Sequence, residues 1–327
     1  MQLYPIKFKP ILKDKIWGGK KLSTYLNKDN SLDPKCGESW EISGVPGDIS
    51  IVSNGFLEGN SLQEIIEVYM GELVGDAVYE KFGDEFPLLI KFIDASDVLS
   101  IQVHPDDATS KERHNAYGKT EMWYVIQADK GAELISGFNK QVDKQTYVNH
   151  LQEKKLKDIL NYEEVKAGDV FFIPSGRVHA IGAGIVLAEI QQTSDITYRI
   201  YDWDRKDDQG NGRELHTDLA VDVIDYNVHP NYRTDYKVFD NVESNLVTCP
   251  YFMTNILEFD KNIGKDFNLI DSFIIYMCIE GDFSVEFGDG ENCIVTKGET
   301  VLIPAELKEI VLKPNGKAKL LEVFIKE

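Results

Sequence analysis

The segment GDVFFIP at Gly168–Pro174 recurs as GETVLIP at Gly298–Pro304. Each copy reads as a strand that opens at a glycine and runs into a tight proline turn. Five residues beyond the two prolines stand His179 and Glu309. The repeat predicts two similar β-barrels, the second of which has lost a metal ligand and keeps Glu309 for packing. Around the second copy, LVTCPYFMTNILEF, SFIIYMCIEGDFSVEF, CIVTKGETVLIPAE and AKLLEVFIKE are short apolar runs broken by turn residues, the pattern of a barrel or sandwich. Two stretches break the β-rich reading. Ser61 with Glu64 forms a capping box ahead of Leu62, Ile65, Ile66 and Tyr69 at helical spacing. Lys144–Leu160 carries Tyr147, Val148, Leu151, Leu156 and Ile159 on one stripe. The expected architecture is mainly β: residues 1–235 as a catalytic barrel with helical insertions near 61–82 and 144–160, and 236–327 as a barrel without a metal site.

The first barrel holds the chemistry. In LSIQVHPDD (Leu99–Asp107), Gln102 and His104 are an i, i+2 pair on a strand and share one face. Glu121 opens a second apolar run, EMWYVI, expected to turn back toward the first and to pair with Gly131–Gly137. His179, in G-x5-P-x-G-x2-H (Gly168, Pro174, Gly176, His179), supplies a fourth donor where a proline–glycine turn brings a strand end inward. Nitrogen and oxygen donors without thiolate suit Zn²⁺, with Fe²⁺, Mn²⁺ and Co²⁺ as alternatives. Cys36, Cys249, Cys278 and Cys293 are scattered and form no C-x-x-C pair. A single histidine is more often structural than ligating, and His114, His150, His216 and His229 are read as surface or loop residues. Gln102, His104, Glu121 and His179 gain their weight jointly. Lys119 lies two residues before Glu121 and would share its face, while Glu189 and Arg199 flank the polar segment QQTSDIT. A solvated lysine and a salt-bridged strand glutamate are the plainer alternatives for Lys119 and Glu189.

The net charge of −20 argues against nucleic acid and against anionic membrane surfaces as partners. No apolar run reaches membrane-spanning length, and lysine and proline interrupt the apolar positions of the opening segment. A cytoplasmic soluble protein is the expectation.

Taken in order, WGG (Trp17–Gly19), GESWEIS (Gly37–Ser43), PLLIKFIDA (Pro87–Ala95), LSIQVHPDD, GKTEMWY (Gly118–Tyr124), IPSGRVHAIG (Ile173–Gly182), EIQQTSDITYRIYDWDR (Glu189–Arg205) and RELH (Arg213–His216) resemble the type I mannose-6-phosphate isomerases in their short bacterial form. The resemblance implies a double cupin, that is, two jelly-roll barrels with a small helical insert. It implies one Zn²⁺ per chain on Gln102, His104, Glu121 and His179, and interconversion of D-mannose 6-phosphate and D-fructose 6-phosphate. Arg199 matches the family's catalytic arginine, Lys119 its active-site lysine, and Glu189 an acidic residue on the adjacent strand. Isomerisation through an enediol needs a base, a polarised carbonyl and charge stabilisation. Glu189 is the candidate for proton transfer, with Lys119, Arg199 and Arg205 as the cations nearest to hand for a phosphate. The partner is a small sugar phosphate, and the chain is expected as a monomer or homodimer. A metal-dependent cupin dioxygenase would use a similar ligand set but has no need of Lys119 and Arg199. A non-catalytic sugar-binding cupin would not keep the ligands.

Overall fold

The computed structural model describes residues 2–29, 35–206 and 209–326. In chain order its first half contributes β1 (Ile11–Gly19), β2 (Cys36–Ser43), β3 (Leu88–Ala95), β4 (Ile101–Val103), β5 (Glu121–Ala128), β6 (Glu133–Phe138), β7 (Leu160–Glu164), β8 (Val170–Ile173), β9 (His179–Ala180), β10 (Ile185–Gln192) and β11 (Tyr198–Tyr201). These make two sheets, β1-β2-β3-β10-β5-β8 and β11-β4-β9-β6-β7. Strands between Ser244 and Phe324 make a further five-stranded and a further four-stranded sheet. The fold is a mainly β double cupin with few helices.

Why the first sheet runs this way follows from what covers it. Along β3 and β10 every residue is buried, as expected of strands packed on both faces. One face, with Ile90, Phe92, Ala188 and Ile190, joins a core shared with Ile256, Phe273 and Leu321 of the C-terminal sheets. The other face, with Ile93, Trp123 and Leu187, lines the first barrel. Burial of apolar side chains on this scale, at about 25 cal/mol per Å², dominates the assembly of the two halves.

The capping box at Ser61 forms: the Glu64 amide donates to Ser61 Oγ at 3.2 Å, and the Ser61 amide to Glu64 Oε2 at 2.7 Å. It starts a helix, α1 (Leu62–Val74), followed by α2 (Asp76–Phe82). Asp271 of the C-terminal half accepts from the Asp76 and Ala77 amides at 2.9 and 3.0 Å, satisfying donors at the start of α2.

Three expectations are corrected. Lys144–Leu160 is not one helix: the α-helix ends at Gln152, a 3₁₀ turn covers Leu156–Ile159, and Leu160 begins β7. The break sits at Lys154, in the left-handed region at φ +58°. β5 pairs with β10 and β8, and β6 with β7 and β9, so the expected strand pair is divided between the two sheets. For the same reason β5 faces β4 across the barrel instead of lying beside it. Glu309 is exposed, so it has no packing role. In the C-terminal half, Lys265 forms a buried ion pair with Glu322, which also takes hydrogen bonds from Tyr276 and Asn255.

The glycines of the sequence repeat share a left-handed backbone, with φ +90° at Gly168 and +86° at Gly298. They differ in their surroundings. A Cβ at Gly168 would meet only Tyr236 Oη at 3.4 Å, whereas one at Gly298 would lie 2.0 Å from the Leu26 carbonyl oxygen. Gly168→Ala should therefore cost about 1–2 kcal/mol, the left-handed penalty alone. Gly298→Ala should cost clearly more, because backbone must also move. Denaturant midpoints of the two variants check this, and equal losses would refute it.

Candidate active site

Two cross-strand rows face each other inside the first barrel. On the second sheet, Arg199 of β11 is registered with Gln102 of β4, Gln102 with His179 of β9, and His179 with Ser136 of β6. Residues opposite one another in an antiparallel pair point to one face, so this row projects together. On the first sheet, Trp40, Lys91, Glu189 and Trp123 are registered in turn, and Gln191 is registered with Glu121. Each row comes from strands distant in sequence.

Where the rows meet, His104, Glu121 and His179 converge with their ligand atoms within 4.8 Å of one another. His104 Nε2 is 3.6 Å from Glu121 Oε2, and His179 Nε2 is 3.3 Å from Glu121 Oε1. Each imidazole is committed through its other nitrogen. His104 Nδ1 donates to the Ile196 carbonyl at 2.9 Å and His179 Nδ1 to the Arg177 carbonyl at 2.8 Å. That leaves both Nε2 atoms as lone-pair acceptors aimed at a carboxylate. Backbone-fixed Nδ1–H groups of this kind orient metal-ligating histidines. His104 Nε2 and both Glu121 oxygens are buried with no hydrogen-bond partner. Unpartnered buried acceptors are expensive, and a cation among them would satisfy all three. Gln102 Nε2 donates to His179 Nε2 at 3.2 Å; turning that amide over would put Oε1 in the same place as a fourth donor.

Titration follows from burial. Desolvation, then the charges of Lys119 and His179, holds His104 well below the ordinary imidazole value. Desolvation brings His179 down to about 4, so both rings are neutral at pH 7. Desolvation and the neighbouring Glu189 carboxylate push Glu121 up to about 8. A metal bound here would displace that proton.

A charge network continues behind the triad. Lys119 Nζ is 3.7 Å from Glu121 Oε2. Lys91 Nζ donates to Glu189 Oε1 at 2.9 Å and Gln191 Oε1 at 2.8 Å, while Trp123 Nε1 donates to Glu189 Oε2 at 2.8 Å. Glu38 accepts from Trp40 Nε1 at 2.6 Å and pairs with Lys15 at 3.2 Å. The two lysines part company. For Lys91 the charges of Glu189 and Glu38 more than offset desolvation and raise its value, whereas desolvation and the nearby Lys91 charge lower that of Lys119.

A family model described as phosphomannose isomerase type I, catalytic domain, matches residues 6–161. The mannose-6-phosphate isomerase of Streptococcus mutans is 35% identical over 93% of each chain. Mannose-6-phosphate isomerase ManA of Bacillus subtilis is 35% identical over 96% of this chain and 97% of its own. The chain belongs to the type I phosphomannose isomerases. The crystal structure of the Bacillus subtilis mannose 6-phosphate isomerase superposes on this isomerase with a TM-score of 0.88 at 31% identity, covering 98% of this chain and 99% of that one.

Of the residues marked in the sequence, Gln102, His104, Glu121, His179 and Lys119 come together in this isomerase, and Glu189 lies behind them. Arg199 projects from the same row as Gln102; its Nη1 donates to the Glu214 carbonyl at 2.9 Å, and its Nε is buried without a partner. Arg205 is engaged by Asp202 and by the Val98 carbonyl, and its Nε is buried without a partner. Lys91, Glu38 and Trp40 carried a signal that was passed over, polar residues at alternate positions of buried strands. His216, read as a loop residue, accepts from the Arg199 amide through Nδ1 at 3.1 Å.

Burial raises the Glu38 carboxyl, but Lys91, Lys15 and the Trp40 donor overcome this and hold it at about 2. A depressed carboxylate contributes stability above its unfolded value and loses it as pH falls toward the folded one. The fall from 4.5 to about 2 corresponds to roughly 3 kcal/mol at neutral pH. Glu38→Gln should therefore flatten the stability curve between about pH 4.5 and 2 and destabilise most at pH 7. Urea melts across that range test it, and an unchanged acid limb would contradict it.

Proposed function

We propose that this chain is a cytoplasmic, zinc-dependent isomerase that interconverts D-mannose 6-phosphate and D-fructose 6-phosphate through an enediol. The carrying observation is the cluster of buried, unpartnered acceptors on His104 and Glu121, met by His179 with its ring held by backbone. We assign Gln102, His104, Glu121 and His179 as the zinc ligands. The donor set, two imidazoles with oxygen donors and no sulfur, suits Zn²⁺. When bound, the ion supplies Lewis-acid neutralisation of charge on substrate oxygen.

The protein's own groups divide the remaining work. Aldose–ketose interconversion takes a proton from C2 of the open-chain sugar and returns one to C1, with negative charge on oxygen between. Lys119 is the group matched to moving that proton. Its Nζ is buried 3.7 Å from Glu121 Oε2, and desolvation and Lys91 lower its hold on the proton against the opposing charges of Glu121 and Glu189. Glu189 had the stronger claim from sequence, but both its oxygens are engaged and Lys91 and Lys119 hold it ionised. It serves instead as the fixed counter-charge to the two lysines. Arg199, with a free Nε and a position on the ligand row, stabilises developing oxyanion charge and takes a share of the phosphate. A dioxygenase reading leaves Lys119, Lys91 and Arg199 without a task.

A coupled assay with mannose 6-phosphate, with and without chelator, tests the reading. Activity should disappear on metal removal and return with zinc; chelator-resistant turnover would overturn it. Arg199→Ala should lower kcat/KM by about 10²-fold or more, as loss of a charge-stabilising donor does. Near-normal turnover would remove Arg199 from the mechanism. Lys119→Met should lower kcat far more than it raises KM, and a change confined to KM would reassign Lys119 to substrate binding.

A further inference from the structure

A side chain of the C-terminal half, Tyr251, contacts the segment that follows His104. Tyr251 sits in the turn between the strands Ser244–Thr248 and Met253–Phe259, a turn closed by the Cys249 amide donating to the Phe252 carbonyl at 3.0 Å. Its hydroxyl donates to Asp107 Oδ2 at 2.9 Å, across 144 residues of sequence. Asp107 begins the helix Asp107–His114, but its carboxylate does not cap that helix: Asp106 does, accepting from the Thr109 amide at 2.8 Å. The Asp107 carboxylate is thus available elsewhere. Its Oδ1 accepts from the Gly118 amide at 2.8 Å and from Gln192 Nε2 at 2.9 Å.

Those two bonds straddle Lys119. Gln192 Oε1 accepts from the Thr120 amide at 2.8 Å, and the Lys119 amide itself donates to the Pro105 carbonyl at 3.2 Å. Three consecutive amides, at 118, 119 and 120, are held by the segment that follows ligand His104 and by Gln192. Glycine at 118 is required by this closeness, since a Cβ there would lie 2.6 Å from the Asp107 nitrogen. The next residue is Glu121. An Asp107 carboxylate that is free to rotate would release the Gly118 amide directly and loosen the Gln192 side chain that holds the Thr120 amide.

We propose that Tyr251 is a positioning residue: by fixing the Asp107 carboxylate, it lets the C-terminal sheets set the placement of Lys119 and Glu121. The inference rests on the proposed function for its catalytic consequence, though not for its structural one. Tyr251→Phe removes one O–H and keeps the ring. In the metal-free, sugar-free protein it should speed hydrogen exchange at Gly118 and Thr120 while leaving core amides of β3 and β10 unchanged. In the zinc-loaded enzyme it should lower kcat for mannose 6-phosphate about tenfold, the scale of a hydrogen bond to a charged group, with KM much less affected. If Tyr251 acts through Asp107, adding Tyr251→Phe to Asp107→Asn should bring no further loss. Unchanged exchange at Gly118 and Thr120, or fully additive kinetic losses, would overturn the proposal. Should Asp107→Asn not fold, the exchange measurement on Tyr251→Phe decides alone. Failure of the parent enzyme to turn over mannose 6-phosphate would strike the functional reading and leave the exchange test intact.

Discussion

His104 Nε2 and both Glu121 oxygens are buried without a hydrogen-bond partner, and His179 Nε2, reached only by the Gln102 amide, converges on them. The rest of the first barrel is arranged around the cost of that convergence. Each imidazole is locked by a carbonyl that accepts from its Nδ1–H, so neither ring can turn its donor toward the carboxylate. The sheets bring Glu121 from one wall and the histidines from the other. Desolvation and the neighbouring Glu189 carboxylate raise the Glu121 carboxyl, and a cation bound among the ligand atoms would take the place of that proton.

The surrounding charges extend the same logic. Lys91 is firmly ionised between Glu189 and Glu38, and its permanent charge weakens the proton affinity of Lys119. A fixed cation next to a tunable amine is a means of matching an amine to proton transfer. Burying such charges is tolerable only because each carboxylate is paired and hydrogen-bonded, which Trp40 and Trp123 help to achieve through their indole donors. The apolar outer face of the same sheet is sealed by the C-terminal half. The second half therefore acts on the site twice, by excluding water behind the sheet and by the Tyr251–Asp107 contact beside it.

Much of this was legible in the sequence. The GDVFFIP and GETVLIP copies do adopt like backbones, since the left-handed glycine and the proline turn are local requirements. The Q-x-H spacing placed Gln102 and His104 on one face, and the proline–glycine turn brought His179 to them. What escaped was non-local. Strand order is set by which faces can be buried together, so adjacency in sequence misassigned β5 and β6 to one sheet. Lys91 drew no reading of its own within PLLIKFIDA, because its partner, Glu189, lies on a strand 98 residues away. The pairing of Arg205 with Asp202 had no signal, since Asp202 reads as one more polar loop residue. The contact between Tyr251 and Asp107 has no sequence signal at all.

The central claim is that the convergent acceptors are a zinc site. Anomalous diffraction at the zinc absorption edge, from crystals of the zinc-loaded protein, tests it most directly. The account predicts one strong peak among His104 Nε2, His179 Nε2 and Glu121, at about 2.0–2.2 Å from its ligand atoms. A peak elsewhere, or none at that position, would contradict it.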